Sequence, residues 1–211
     1  RIIRHTLRGL VSAHGAKIVH RDIKPANLVL ADESMLLIKI IDFGIAAATE
    51  RGSMRSTFVT GTAGLAKQIG TPHFMSPEAF SKSAVDHRTD IWSVGVTFYY
   101  LLTGKLPFNK RPSTGQDDPA AAEEEDGEIS EIDIAVAVKT VNPFTQLGGD
   151  DMLTEAGATP QIISIIKKAM AKRREQRYAT AEAMLLELEA EEAEAVLDSI
   201  NDAVEENDME Q

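Results

Sequence analysis

Two acid-bearing loops bracket a hairpin near the start of this chain, and that arrangement limits its folding more than any other feature. Leu28–Leu30 and Leu36–Ile41 are apolar runs, and Ala31-Asp32-Glu33-Ser34 between them carries turn formers, so the pattern predicts a β-hairpin. The segment before it, His20-Arg21-Asp22-Ile23-Lys24-Pro25-Ala26-Asn27, holds Asp22; the segment after it, Asp42-Phe43-Gly44, holds Asp42. Antiparallel strands enter and leave at the same end, so the hairpin holds both carboxylates at one end of a small sheet. Asn27 and Asp42 offer hard oxygen donors of the kind magnesium takes, usually few in number and completed by phosphates. Lys24 is a point charge two residues from Asp22. The set gathers two carboxylates, an amide and an ammonium at one end of the hairpin.

Elsewhere the periodicity is helical. Ile3, Leu7, Leu10, Val11 and His14 recur at helical spacing and Gly15 is a stop, which predicts a helix over 1–14. Lys17–Val19 reads as a short strand. Residues 45–75 have abundant Gly, Ser and Thr and little periodicity, predicting a loop of a length that is uncommon unless functional. Residues 88–103 predict a helix ending at Gly104 before Pro107. Residues 109–129 are rich in Pro, Gly, Ala and acids and read as a disordered insert. Further helices are expected over 130–140, 160–173 and 179–198, the last N-capped by Thr180 and running into a Glu/Ala-rich tail over 189–211. No internal repeat is visible.

The two loops, together with Ser76-Pro77-Glu78 and Asp90-Ile91-Trp92-Ser93-Val94-Gly95, resemble in order and spacing the motifs of eukaryotic protein kinases. Any one alone is weak, since Asp-Phe-Gly occurs by chance in many chains. The resemblance covers about residues 1–108 and 158–188. It implies an α+β, mainly α-helical fold: the C-terminal lobe of a kinase, with a small β-hairpin carrying the catalytic and metal loops, occupying 1–188 ahead of the acidic tail. The Gly-rich loop, the lysine strand and the glutamate helix that the family places earlier do not occur in this sequence. The expectation is a piece of a longer kinase whose N-terminal lobe is absent and would be its first partner.

The resemblance also implies roles. Asp22 orients a substrate hydroxyl and takes its proton, Lys24 stabilises charge on the transferred phosphate, and Asn27 and Asp42 hold magnesium, so ATP and Mg2+ are the expected cofactors. A lysine at position 24 resembles the serine/threonine type. Arg21 in many members pairs with a phosphate on the activation loop. His20 would be structural, under Phe43 and bonding near Asp90, and Gly44 would turn the loop after Phe43. Any chain could bury His20 and Phe43 simply as core. Gly70-Thr71-Pro72 resembles the substrate-docking end of the activation segment, with Thr71 near the catalytic Asp and Lys. Glu78 is expected to pair with Arg177. Two departures stand out. Lys67 replaces the threonine many members phosphorylate, leaving only Thr57, Thr60 and Thr62 nearby, and Ala26 replaces a Glu found in some kinases that prefer basic substrates.

Charge is segregated. The net charge of −11 hides nine acids in 117–133 and eleven in 187–211, neither run containing Lys or Arg; the remaining thirteen acids face 22 Lys and Arg. A basic body suits ATP and phosphorylated groups. The acidic runs read as solvated, the alternative being that one folds back over the basic cleft. Aromatics make up 5% of the chain, without a base-stacking pattern, so no nucleic acid is expected. No apolar stretch approaches a membrane span, so no membrane partner is expected either. With no cysteine, disulfides and cysteine-ligated zinc are excluded, which fits an intracellular, cytoplasmic protein. The expected function is transfer of the ATP γ-phosphate to Ser/Thr hydroxyls of protein substrates, with the isolated segment inactive for want of the N-lobe. The alternative is a non-catalytic, kinase-like interaction module. A small-molecule phosphotransferase is a third reading, disfavoured because the segment through Ser76-Pro77-Glu78 resembles a peptide platform.

Overall fold

The structure, a computed structural model, describes residues 1–32, 37–43, 58–60, 66–68, 72–81, 85–108, 129–146 and 148–209. In chain order these form α1 (Ile2–Gly15), β1 (Leu28–Asp32), β2 (Leu37–Ile40), β3 (Phe58–Thr60), β4 (Ala66–Gln68), α2 (Arg88–Thr103), α3 (Glu131–Thr140), α4 (Pro143–Gln146), α5 (Gly149–Glu155), α6 (Pro160–Ala169) and α7 (Ala181–Met209). The fold is mainly helical, with two small antiparallel hairpins.

Helix α2 is the centre. Every residue from Thr89 to Thr97 is buried, as expected of a helix apolar on nearly all sides. One core cluster joins Ile91 and Val94 to Leu7 and Leu10 of α1, Ile165 of α6 and Met184 of α7. A second joins Trp92, Val96 and Tyr99 to Phe108, Ile134 and Val138 of α3, and Leu153 of α5. The α2–α6 contact is close because position 95 is glycine: a Cβ there would lie 2.8 Å from Met170 Cγ and 2.9 Å from Ala169 Cβ. α2 stops at Gly104, whose φ of 68° is left-handed.

The β1–β2 hairpin pairs Leu28 with Ile40, Val29 with Lys39 and Leu30 with Ile38. It docks on α1 through Ile40, which fits against Gly9, and through the Ile38 N–H, which donates to His5 Nδ1 at 3.2 Å. Thr180 caps α7, accepting from the Ala183 N–H at 3.1 Å. α7 is tied to α1 by the Arg4–Glu192 ion pair and by Arg8–Glu189 at 2.7 Å.

Three expectations are corrected, and two helices appear that were not expected. Lys17–Val19 is not a strand: Lys17 is left-handed at φ 63°, and the Lys17 and Ile18 N–H groups bond back to His14 and Ala13 carbonyls, closing the helix end. α6 ends at Ala169 rather than 173: the Ala171 N–H turns back three residues to the Lys168 carbonyl, and beyond it the Ala171 and Lys172 carbonyls accept from Arg177. The 45–75 segment contains a hairpin, Val59 opposite Lys67. Helices α4 and α5, too short and too interrupted by Pro and Gly to show a period, were not expected. The 109–129 insert lies outside the described residues except for Ile129.

Candidate active site

The loop before the hairpin is anchored from below by Asp90, in the first turn of α2 and fully buried. Its Oδ2 accepts the His20 N–H at 2.9 Å and its Oδ1 the Arg21 N–H at 2.7 Å. His14 Nε2, at the end of α1, donates to the same Oδ2 at 2.8 Å. These are charge-assisted bonds, stronger than neutral ones. They hold Arg21 at φ 67°, a left-handed conformation costing a non-glycine residue about 1–2 kcal/mol.

His20 ties the two acid-bearing loops together. Its Nδ1 accepts the Asp22 N–H at 3.2 Å, which leaves the proton on Nε2, and Nε2 donates to the Ile41 carbonyl at 2.9 Å. Its ring meets Phe43 edge-to-face with centroids 4.6 Å apart. The Ile41 N–H donates to the Asn27 carbonyl at 2.9 Å, extending the hairpin by one rung. Asp42 therefore follows directly on the residue opposite Asn27, and it too is left-handed, at φ 67°.

At this end of the hairpin the Asp22 carboxylate lies between two donors. Lys24 Nζ is 2.8 Å from Oδ2, and Asn27 Nδ2 donates to Oδ2 at 3.1 Å and to the Asp22 carbonyl at 2.7 Å. Both amide hydrogens of Asn27 are thus directed at Asp22, which leaves its Oδ1 as an oxygen donor. That oxygen and the exposed Asp42 carboxylate are both hard-oxygen donors, the ligand type that suits magnesium.

Glu78 and Arg177 form a two-pronged pair at 2.6 and 2.7 Å. The other guanidinium donors go to the carbonyls of Ala171, Arg88 and Lys172, so all five are used. Gly44 and Thr71 lie outside the described residues; of Lys67 the backbone in β4 is described. Sequence reasoning missed His14 as a ligand of Asp90. Its only signal was a histidine closing α1 just before the loop.

A family model described as Protein kinase domain matches residues 1–187. Serine/threonine-protein kinase pkn3 of Myxococcus xanthus is 34% identical over 201 residues, 92% of this chain and 31% of that protein. PknL of Mycobacterium tuberculosis is 34% identical over 192 residues, 90% of this chain and 39% of that protein. PknB of Mycolicibacterium smegmatis is 32% identical over 188 residues, 89% of this chain and 25% of that protein. The chain thus spans a quarter to two fifths of the length of these relatives.

Proposed function

This chain belongs to the protein kinase family, and on that premise we propose that it is the C-terminal lobe of a serine/threonine protein kinase. The observation that carries the reading is the Asp22 carboxylate, held between Lys24 at 2.8 Å and Asn27 at 3.1 Å where the hairpin delivers Asp42. A substrate hydroxyl donates to Asp22 and passes its proton there as its oxygen bonds to the γ-phosphorus. The bond from that phosphorus to the bridging oxygen breaks, and ADP leaves. Lys24 puts positive charge beside the transferred group. Asn27 and Asp42 would hold magnesium, which neutralises phosphate charge when bound. His20, Phe43, Gly44, Asp90, Glu78 and Arg177 position these groups, and Thr71 belongs to the substrate-facing segment.

The hairpin's outer surface favours a covering partner. Val29, Leu37 and Ile41, on the face turned away from Ile40 and α1, are 39–44% exposed, an apolar surface with nothing to cover it among the described residues. We assign the N-terminal lobe of the longer protein to that surface. Residues 1–211 alone then lack a roof for adenine and a lysine for the phosphates, and transfer no phosphate. The test is phosphate transfer from ATP to a mixed Ser/Thr peptide set by the longer protein, its Asp22→Asn variant and residues 1–211. The expected loss on Asp22→Asn is about 100-fold or more. No transfer by the longer protein, and so no loss on Asp22→Asn, would favour the interaction-module reading; undiminished transfer by an active protein carrying Asp22→Asn would refute Asp22 as the base, and robust transfer by residues 1–211 would end the lobe assignment.

A further inference from the structure

On the far side of the Ser76-Pro77-Glu78 turn an open pocket of about 360 Å3 is lined by Lys139 from α3, Lys172, Arg173, Arg174 and two acids, Glu78 and Glu175. Both acids are committed. Glu78 is forked onto Arg177, and Glu175 accepts from Arg174 Nε at 3.0 Å. Arg174 also lies 3.6 Å from Asp86. Lys139, Lys172 and Arg173 remain, and none has a carboxylate within ion-pair distance among the described residues.

The two lysines have unused capacity. Lys139 Nζ donates to the Phe80 carbonyl at 3.2 Å and Lys172 Nζ to the Val138 carbonyl at 2.5 Å, one acceptor each for ammonium groups with three donors. Lys172 is the more telling. Its Nζ lies 4.5 Å from the Phe108 ring centre and 5.2 Å from that of Trp92, and it is largely removed from water. Burial, and then the positive Arg177, push its pKa down to about 7. Aromatic faces favour the cation only partly; what the site lacks is an anion.

We propose that Lys139, Lys172 and Arg173 form a phosphate-monoester site. Three cations around one concavity, with both local acids already paired, match a dianion with three acceptor oxygens better than a single carboxylate, which would leave excess positive charge. The site shares no residue with the Asp22, Lys24, Asn27 and Asp42 set, and its lining includes Pro77, Glu78 and Ser81. A phosphorylated Ser/Thr side chain and free phosphate share this chemistry.

Calorimetry of the full 211-residue chain at low salt, with N-acetyl-phosphoserine methylamide, inorganic phosphate and the unphosphorylated serine analogue, tests it. Saturable binding of the two phosphates and none of the serine analogue is expected. Lys139→Gln/Arg173→Gln, both at exposed positions, should weaken it tenfold or more. Tighter binding of the phosphoserine probe supports the site with a protein as its source; tighter binding of phosphate supports it with the free ion. Sulfate supplies a second readout because it does not titrate near neutrality. Its binding should tighten as pH falls from about 8 to about 6 and Lys172 gains its proton, and that slope should vanish in Lys172→Met. Arg177, Glu78, Lys139, Arg173, Arg174 and Glu175 are the charged groups around Lys172. No saturation below about 10 mM, binding untouched by the double substitution, or a pH slope that survives Lys172→Met would each overturn the assignment.

Discussion

Arg177→Met tests how much of this fold hangs on one guanidinium. The side chain is fully buried, and its five donors reach Glu78 at 2.6 and 2.7 Å, and the carbonyls of Ala171, Arg88 and Lys172 at 2.8, 3.1 and 3.2 Å. Methionine fills similar space and satisfies none of these. The Glu78 side chain, 10% exposed, becomes a buried charge without a partner, which costs about 3–5 kcal/mol. The released carbonyls add less, because they line a turn that water can reach. Against a total stability of about 5–15 kcal/mol this is a large share. The chain has a single tryptophan, Trp92, fully buried and 5.1 Å from the guanidinium, so its fluorescence reports unfolding of this region. At a urea slope of roughly 2 kcal/mol per molar, the midpoint should fall by about 1.5–2.5 M. Adding Glu78→Gln removes the stranded charge and should restore about 1–2 kcal/mol of that loss. A midpoint fall under about 0.5 M, or a double variant no more stable than Arg177→Met, would refute the reasoning.

Three further outcomes follow from other contacts. Gly95→Ala puts a methyl group within 2.9 Å of Ala169 Cβ, so α2 and α6 must part, at about 1–3 kcal/mol by thermal melting; Gly104→Ala meets nothing within 4 Å and should cost only the left-handed backbone, about 1 kcal/mol. Asp90→Asn turns an N–H group toward donors it must accept from, so hydrogen exchange at the His20 and Arg21 amides should speed by tenfold or more. Lys172→Met should be more stable than the parent at pH 6. An amine near 7 when folded and 10.5 when unfolded penalises folding most below 7, and the penalty fades as pH rises from 7 toward 10.5, so the urea midpoints should converge over that window.

Features that sequence reasoning caught have local physics. Thr180 and Gly104 are an N-cap and a stop whose chemistry lies in one or two residues; Thr180 begins α7 and Gly104 ends α2, as expected. The hairpin could be read because its strands are apolar runs around a polar turn. What was missed depends on distant partners. Beyond the end of α6 the Ala171 and Lys172 carbonyls go to Arg177, a partner that nothing in 160–173 announces. Lys172 looks like one of several surface cations in Lys172-Arg173-Arg174; its burial against Phe108 and Trp92 comes from the packing of α2 and the segment ending at Phe108. The Lys24–Asp22 ion pair was within reach of the spacing, but the sequence alone left Lys24 as a charge looking for a phosphate.

The site's rigidity comes from the core rather than from its own loops. Arg21 and Asp42 both sit at φ 67°, a conformation that loops of such residues would relax out of if nothing held them. Arg21 is held by an acid projecting from the most buried helix of the fold, and the chain bearing Asp42 is held by the His20 ring and the rung from Ile41 to Asn27. Asp90 therefore sets the position of His20, and His20 bonds to both Asp22 and Ile41, so a displacement of the first turn of α2 reaches both carboxylates at once. Substitutions that shift α2, Gly95→Ala among them, should disturb the Asp22 loop although they lie among the packed side chains of the core. Substitutions confined to α3 should leave that loop in place, since α3 belongs to the other core cluster and makes no hydrogen bond to it among the described residues.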